Sequence, residues 1–394
     1  MFYVLCFSLW DTMSEQEYRY IVIHFGELWL KGRNRGTFIK RLYHNIRAAL
    51  KDEKYEELEN ARDRFVLRLS KDSDIASIRE RLSHVFGISW FAPVMISGNK
   101  INEIVAAVAR PFGKGDTVRV VAHRSYKQLP FTSQDIVGEL LKKKKDFDFT
   151  LDKAGEKEVF VNVTRENAHV LTEKTRGLGG LPVGISGKAV ILLSGGIDSP
   201  VASLYAMKKG LSPIYMHVHA FPNNKDAEDS KMTEIVRKLS AYSPRSKVYF
   251  IPSSLFQATI IKAPHQYELV LFKRFLYALA GKIAEKEGAD VIVTGESLAQ
   301  VASQTVKNLI ATERGTKQLL MRPLIGLDKQ EIVDIAQSQG TYSLSILDYP
   351  DVCSLNSRNP STSANAKKVG ALFKEIGLNT VAAKSLKKSE TIEI

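Results

Sequence analysis

Apolar stretches that look like strands alternate with stretches that look like helices from residue 189 onward. This alternation constrains the fold more than any other feature of the sequence. Strand patterns lie at residues 189–193, 212–218, 248–251 and 290–294, with helical patterns at 200–209, 230–240 and 267–287 between them. Alternation of this kind builds a parallel, doubly wound sheet, which binds ligands at the carboxyl ends of its strands. We therefore expect an α/β domain with its site at that edge.

The segment LLSGGIDS, residues 192–199, connects the first of these strands to the first helix. Backbone N–H groups of a glycine turn and of a helix start point toward a bound anion, and glycine lets the anion approach closely. Ser194 and Ser199 can add hydroxyl donors beside Gly195 and Gly196. The segment predicts a phosphate site, with an ordinary βα turn as the alternative. A GxxxxGK[ST] loop is excluded, because its nearest candidate, residues 184–189, has the wrong spacing.

Two smaller α+β units are predicted ahead of this domain. The first combines strands at residues 20–24, 64–69 and 89–95 with helices at 37–50 and 74–83. The second combines a helix from residue 101, a strand at 116–123, a helix after 133 and a strand at 158–163. The glycine-rich run at 175–187 predicts a linker. At 394 residues the chain is long enough for two or three domains.

The amino-acid composition indicates which class of partner the protein binds and in which cellular compartment it works. The 56 lysines and arginines against 43 acidic residues give a net charge of +13, which indicates a polyanionic partner such as nucleic acid. Two cysteines, Cys6 and Cys353, are too few for a disulfide framework or a four-cysteine zinc site, and favour the cytoplasm. Residues 1–10 are apolar but lack a basic leader, and no stretch approaches the about 20 apolar residues of a membrane span. We expect neither a signal peptide nor a membrane anchor.

Several motifs in chain order resemble the tRNA 4-thiouridine synthetase (ThiI) family of PP-loop ATPases. They are the SGGIDS loop, GLPVG at 180–184, GESLAQVASQT at 295–305 and RPLIGLDK at 322–329. FGELWLKGRNR at 25–35 resembles the family's amino-terminal domain. The resemblance implies a ferredoxin-like α+β domain over residues 14–72 and a THUMP α/β RNA-binding domain over 73–174. It implies a doubly wound PP-loop ATPase domain, of the adenine nucleotide alpha hydrolase-like class, over 175–394.

The resemblance also implies a site for ATP and Mg²⁺. The expected ATP-binding residues are Leu192, Leu193, Ser194, Gly195, Gly196, Asp198, Ser199, His217, Val218, Arg274, Gly295 and Gln304. Asp198 would hold Mg²⁺ or orient the pyrophosphate. Lys329 would steady the activated uridine, with a solvated residue near a helix start as the alternative.

Sulfur chemistry would fall to Cys353, which matches the place where the family carries a cysteine in this domain. A spectator thiol is the alternative. The residues after Arg358 hold no cysteine, so the rhodanese domain of longer bacterial members, whose cysteine carries a persulfide, has no counterpart in this sequence. We therefore expect sulfide or a separate persulfide carrier protein as the sulfur donor.

The implied function is ATP-dependent conversion of uridine 8 of tRNA to 4-thiouridine. The candidate RNA contacts are Lys31, Arg33, Arg35, Lys142, Lys143 and Lys144, although the lysine run also fits a solvated helix face. Two alternatives stay open: sulfur transfer in thiamine thiazole synthesis, and an RNA-binding protein whose nucleotide fold no longer turns over. A homodimer is compatible with a tRNA enzyme whose binding and catalytic domains lie apart.

Overall fold

The computed structural model describes residues 18–26, 34–61, 64–352 and 360–394. The chain divides into two compact units, and the division falls between Gly179 and Gly180. This point lies inside the glycine-rich run that the sequence predicts as a linker. The finer limits at residues 14–72, 73–174 and 175–394 stay predictions. None of the described helices is long and apolar enough to cross a bilayer.

The unit that ends at Gly179 is an α+β structure. Its strands are β1 (Tyr20–Phe25), β2 (Glu57–Ala61), β3 (Arg64–Arg68), β4 (Ile88–Gly98), β5 (Thr117–Arg124), β6 (Thr150–Leu151), β7 (Lys157–Val163), β8 (Asn167–Leu171) and β9 (Thr175–Arg176). Its helices are α1 (Arg35–Ala49), α2 (Ile75–Ser83), α3 (Ile101–Ala109) and α4 (Ser133–Lys142). The elements that the sequence predicts here are present, with shifts of one or two residues at most of their ends.

One long strand joins the two α+β patterns of this unit into a single sheet. The strand order is β2-β3-β1-β4-β8-β7-β5-β6, and β9 also pairs with β4. The first half of β4 pairs with β1, with Ala92 opposite Val22, and its second half pairs with β8, with Met95 opposite Val170. The two α+β patterns are therefore continuous through β4, although the sequence presents them as separate units.

The unit from Gly180 onward has the predicted alternation of strands and helices. Its strands are β10 (Lys188–Leu192), β11 (Ser212–His219), β12 (Lys247–Pro252), β13 (Val291–Val293), β14 (Leu319–Met321) and β15 (Glu390–Glu393). Its helices are α5 (Asp198–Lys208), α6 (Asn224–Glu228), α7 (Lys231–Ser240), α8 (Ser254–Ile260), α9 (Glu268–Glu287), α10 (Val306–Glu313), α11 (Lys329–Ser338), α12 (Tyr342–Ser345), α13 (Ala366–Glu375) and α14 (Leu378–Lys387).

The sheet of this unit runs in the order β14-β13-β10-β11-β12-β15. Its strand pairs are parallel, apart from β15, which lies antiparallel to β12. The central strand β10 is buried from Ala189 to Ile191 because helices cover both faces of a doubly wound sheet. The longest helix, α9, packs Phe272 and Phe275 into the core and ends at Gly288, which adopts the left-handed conformation of a helix C-cap. The carboxyl ends of β10, β11 and β13 then lie at one edge, where the site is expected.

Candidate nucleotide-binding site

The SGGIDS loop connects β10 to α5 and is closed by its own hydrogen bonds. The Ser199 hydroxyl accepts from the Ser194 N–H at 2.9 Å and lies 3.1 Å from the Ser194 hydroxyl. Ser199 is 3% exposed, so it braces the loop from within. Helix α5 begins within this segment, at Asp198, and its amino-terminal end favours a bound anion. This geometry is that of the predicted phosphate site.

A cavity of about 480 Å³ opens beside this loop. The size suits a small-molecule ligand, since such pockets measure about 300–1,000 Å³. Six residues predicted from the sequence line it: Leu192, Ser194, Asp198, Ser199, Gly295 and Gln304. The structure therefore brings together residues more than 100 positions apart in the chain, at the edge of the sheet where the alternation of strands and helices places a ligand.

Gly295 follows β13 and touches the start of α5. A Cβ atom built on Gly295 would lie 2.7 Å from the backbone N of Ser199 and 2.8 Å from the backbone carbon of Asp198. Neither backbone atom belongs to a flexible side chain that can move aside. Glycine is therefore required at position 295 because two backbones meet there, and this contact fixes β13 against the phosphate loop.

Gln304 is one of the cavity-lining residues, and its side chain holds a buried acceptor atom. The residue is 8% exposed, and its Oε1 atom has no hydrogen-bond partner among the described residues. A buried acceptor without a partner is costly, and such an atom in a cavity wall favours a ligand that donates a hydrogen bond. The exocyclic amino group of an adenine is a donor of this kind, so the residue fits the nucleotide that the motifs predict.

Asp198 and Lys329, 131 positions apart, form an ion pair at the mouth of this site. Lys329 Nζ donates to Asp198 Oδ1 at 2.6 Å, and their side chains are 48% and 24% exposed. Lys329 is the first residue of α11, whose N-cap is Asp328. Asp198 and Lys329, two of the three residues expected to be catalytic along with Cys353, are thus neighbours, and the catalytic roles of all three stay predictions.

The buried His217 ring bonds to Leu193, beside the loop, and to Tyr349. Its Nδ1 lies 2.9 Å from the Leu193 carbonyl oxygen and its Nε2 lies 2.6 Å from the Tyr349 hydroxyl. Burial lowers the pKa of His217 to about 4, so the ring is neutral at pH 7. Leu193, Gly195, Gly196, His217 and Val218 are not among the cavity-lining residues, and their contacts with a nucleotide stay predictions.

Lys273, rather than its neighbour Arg274, lines the cavity. Arg274 points to the other side of α9, where its guanidinium lies 3.4 Å from the Ala311 carbonyl oxygen and 5.1 Å from the Phe373 ring centre. Burial lowers the pKa of Arg274. The residues of α9 that line the cavity are Leu269, Lys273, Leu276 and Tyr277, which is the spacing of one helix face. That spacing is the sequence signal that identifies Lys273.

A buried carboxylate, Glu296, connects Lys273 to other polar side chains beside the cavity. It accepts from Lys273 Nζ at 2.9 Å, from the Tyr277 hydroxyl at 2.7 Å and from Arg322 Nε at 2.9 Å. Burial acts to raise the pKa of Glu296, but the charge of Lys273 and the three hydrogen bonds outweigh it and lower the pKa to about 2. The motifs at 295–305 and 322–329 contain Glu296 and Arg322, yet no local pattern shows that these residues meet α9.

Comparison with known proteins agrees with this geometry. A sequence profile described as thiamine biosynthesis protein (ThiI) matches residues 184–378, and one described as the ThiI ferredoxin-like domain matches residues 20–92. A probable tRNA sulfurtransferase of Geobacillus kaustophilus is 35% identical over 386 residues, which cover 96% of each chain. The corresponding protein of Bacillus licheniformis is 34% identical, with 95% of each chain covered. The chain belongs to the ThiI family.

A solved structure shares the whole architecture. It is the crystal structure of a 4-thiouridine synthetase–RNA complex with bound ATP, at a TM-score of 0.85 and 30% identity. The match covers 96% of this chain and all of the other. The family resemblance and the fold class predicted from the sequence are therefore confirmed, including the ferredoxin-like amino-terminal domain.

The predicted RNA contacts are only partly described. Lys31 and Arg33, like Cys353, lie outside the described residues. Arg35 begins α1. At the end of α4, Lys142 is 76% exposed and pairs with Glu139 at 3.2 Å, while Lys143 donates to Asn102 Oδ1 at 3.3 Å. Lys144 is exposed beside them. These lysines face solvent, which fits both a solvated helix face and an RNA contact.

Proposed function

We propose that this protein is an ATP-dependent tRNA sulfurtransferase that converts uridine 8 of tRNA to 4-thiouridine. The observation that carries the proposal is the cavity between the SGGIDS loop, Gly295 and Gln304, in a ThiI-family chain with the fold of an ATP-bound 4-thiouridine synthetase. A cavity at the carboxyl ends of a doubly wound sheet, beside a helix amino terminus, suits a nucleotide. The site would work in the cytoplasm, where tRNA is available.

The reaction has two steps. In the first, the O4 atom of the uridine attacks the α-phosphorus of ATP; the new O–P bond replaces the bond to pyrophosphate, which leaves. In the second, a sulfur nucleophile attacks C4 and AMP leaves with the original oxygen. Holding the uridine beside the α-phosphate supplies proximity, and cations stabilise the charge of the transferring group.

Residues of the cavity have distinct parts in this scheme. The N–H groups at the start of α5 and the Lys273 ammonium would bind the phosphates, and Gln304 would accept from the adenine. Asp198 and Lys329 lie together at the cavity, where Lys329 can steady the uridine as charge develops on O4. A persulfide carrier protein would pass its outer sulfur to the Cys353 thiolate and leave as a thiol; this sulfur would then attack C4, and an added thiol reductant would cleave the resulting disulfide. Free sulfide would instead attack C4 directly, without forming a persulfide on Cys353.

Mg²⁺ fits the carboxylates of this cavity. Asp198 and Asp351 both line it, while the described residues contain no group of three His, Cys, Asp or Glu side chains placed to hold a metal. Magnesium with nucleotides is usually held by phosphates, water and one or two carboxylates, and these two residues would supply that share. When bound, the ion would neutralise the charge of the leaving pyrophosphate.

The partner would be tRNA, gripped by the unit that ends at Gly179. Arg35 and the exposed lysines after α4 are the candidate phosphate contacts within the described residues, and Lys31 and Arg33 are further candidates. Contacts of this kind read the backbone and shape of RNA more than its sequence. A homodimer would let one subunit bind tRNA while the other presents the catalytic cavity.

A second candidate follows from the family's description as a thiamine biosynthesis protein. In that function the adenylated group and sulfur acceptor would belong to another protein, and ATP turnover would not require tRNA. The dependence of AMP formation on tRNA therefore separates the two candidates. An RNA-binding protein without turnover would form no AMP in either condition, although its intact phosphate loop argues against that interpretation.

The test is mass spectrometry of nucleosides from unmodified tRNA incubated with the protein, ATP, Mg²⁺ and sulfide. We expect 4-thiouridine from the wild type and none from Asp198→Ala, which removes the carboxylate at the cavity. Asp229→Ala is the matched control, because it breaks an Asp–Lys pair of 3.1 Å outside the cavity.

Cys353→Ser then reports on the sulfur path. Activity with sulfide but not with a persulfide donor would mean that Cys353 accepts sulfur from the donor. Loss with both donors would place Cys353 in the transfer to uridine. Absence of 4-thiouridine from the wild type with either donor would refute the proposed function.

A further inference from the structure

A short segment after α12 lies directly against the phosphate loop. Lys231, the first residue of α7, donates to the carbonyl oxygens of Ser345 at 2.9 Å and Leu347 at 2.6 Å. Two residues further on, the Tyr349 ring covers Gly195. A Cβ atom on Gly195 would lie only 3.0 Å from Cδ1 of that ring. The segment is therefore anchored at one end and pressed onto the loop at the other.

The hydroxyl of Tyr349 extends this contact through His217 of β11 to Leu193, which lies between β10 and the loop. The Leu193 carbonyl can only accept, so the hydrogen of neutral His217 is on Nδ1 and its Nε2 is an acceptor. The Tyr349 O–H donates to Nε2 at 2.6 Å. Burial raises the pKa of Tyr349 to about 12, so the phenol keeps the proton that this bond needs. Both ring nitrogens of the buried imidazole are thereby satisfied.

These contacts reach Gly195 and Leu193, two residues of the loop segment that are not among the cavity-lining residues. Ser194, Asp198 and Ser199 face the cavity, while Tyr349 touches Gly195 and reaches Leu193 through His217. Phe221 closes the other side of the tyrosine, with ring centres 5.5 Å apart. A phosphate loop that is held in one shape before ATP arrives loses less conformational entropy when ATP binds.

We propose that Tyr349 is a positioning residue for ATP, which holds the backbone of the phosphate loop in its binding shape through Gly195 and His217. The effect of Tyr349 on the reaction rests on the proposed function, whereas its effect on the binding of ATP does not. Tyr349 is not among the residues that line the cavity. It acts through the loop.

Two substitutions separate the parts of this contact. Tyr349→Phe keeps the ring on Gly195 and removes the hydrogen bond to His217, whereas Tyr349→Leu removes both. The matched control is Tyr215→Phe. Tyr215 is fully buried on β11, the strand that carries His217, and its hydroxyl bonds to Ser203 at 2.9 Å rather than to the loop.

The measurements are the Kd of ATP by calorimetry without tRNA, and the KM for ATP and kcat of tRNA-dependent AMP formation. We expect Tyr349→Phe to raise Kd and KM about five- to tenfold, the effect of one lost buried hydrogen bond, with kcat changed less than twofold. Tyr349→Leu should raise both further. Tyr215→Phe should lower the melting temperature but leave Kd and KM unchanged.

Three results would overturn the proposal. They are unchanged Kd and KM in Tyr349→Phe, an equal rise in Tyr215→Phe, and a fall in kcat with Kd and KM unchanged. The calorimetric Kd tests the role of Tyr349 independently of the sulfurtransferase activity. If the wild type forms no 4-thiouridine but binds ATP, the function fails while Kd still decides the role of Tyr349.

Discussion

Replacement of Glu296 by glutamine should destabilise the unit that begins at Gly180 more than any other single loss of charge near the cavity. The carboxylate is 6% exposed and is surrounded by Lys273, Tyr277 and Arg322. Its pKa falls from an ordinary 4.5 to about 2, a difference that corresponds to about 3 kcal/mol. Glutamine keeps the shape but leaves Lys273 buried without its counter-charge, so we expect unfolding to become easier by about 3 kcal/mol at pH 7.

Glu313→Gln is the matched control for this prediction. Glu313 pairs with the same arginine, Arg322, at 2.8 Å, but its side chain is 40% exposed. Water screens such a pair, so its removal should cost less than about 1 kcal/mol. Comparison of Glu296→Gln with Glu313→Gln therefore tests whether burial of the carboxylate increases the loss of stability, since both carboxylates pair with Arg322.

The assay must report on the correct unit. The tryptophans, Trp10, Trp29 and Trp90, all precede Gly180, so tryptophan fluorescence reports on the other unit. Hydrogen exchange of peptides from β10 and β11 across a urea series measures the unit that contains Glu296. A loss in Glu296→Gln no larger than that in Glu313→Gln would refute the reasoning.

The pH dependence gives the same prediction a second readout. Because the folded-state pKa of Glu296 is lowered, its stabilisation is fully present above about pH 4.5 and disappears as pH falls toward 2. The difference in stability between wild type and Glu296→Gln should therefore close over that window. A difference that stays constant between pH 7 and pH 3 would mean that the ionised carboxylate is not its source.

Two further predictions concern the nucleotide and the RNA. Lys273→Met should raise the KM for ATP at least about tenfold, whereas Arg274→Met should change it less than about threefold, because only Lys273 lines the cavity; similar effects in steady-state kinetics would contradict this assignment. Replacing Lys142 and Lys144 by glutamine should reduce the salt dependence of RNA binding by about 0.7–0.9 in log–log slope for each lysine that contacts phosphate. A filter-binding titration at several salt concentrations measures it, and an unchanged slope would identify the lysines as a solvated helix face.

The sequence predicts the phosphate loop from signals that are all local. A buried β-branched strand, two glycines and the start of a helix are adjacent in residues 189–199, and each follows from backbone geometry. The order of strands and helices in the same unit is predicted for a similar reason, since the spacing of apolar residues within each element indicates whether it is a strand or a helix. Motif resemblance then supplies Gly295 and Gln304, which the structure places at the cavity.

Lys273 and Arg274 are neighbours on α9, but only Lys273 lines the cavity, and the contact of Arg274 with ATP stays a prediction. Successive residues of an α-helix are about 100° apart around its axis. Lys273 therefore faces the cavity while Arg274 faces α10 and α13, where it meets the Ala311 carbonyl and the Phe373 ring. If a motif is aligned one position out of register on a helix, the residue it assigns to the cavity therefore lies on a different face of that helix.

The sequence by itself determined the fold class and the family of this protein and predicted the phosphate loop, because these depend on local patterns and on motifs in chain order. Only the tertiary structure decided that β4 joins the two α+β patterns, that Glu296 meets α9, and that Tyr349 covers Gly195. These contacts join residues that lie far apart in the sequence. They leave no trace in the hydrophobic pattern of the helices and strands that carry these residues. They have no local signature, since they depend on which faces meet when the elements pack.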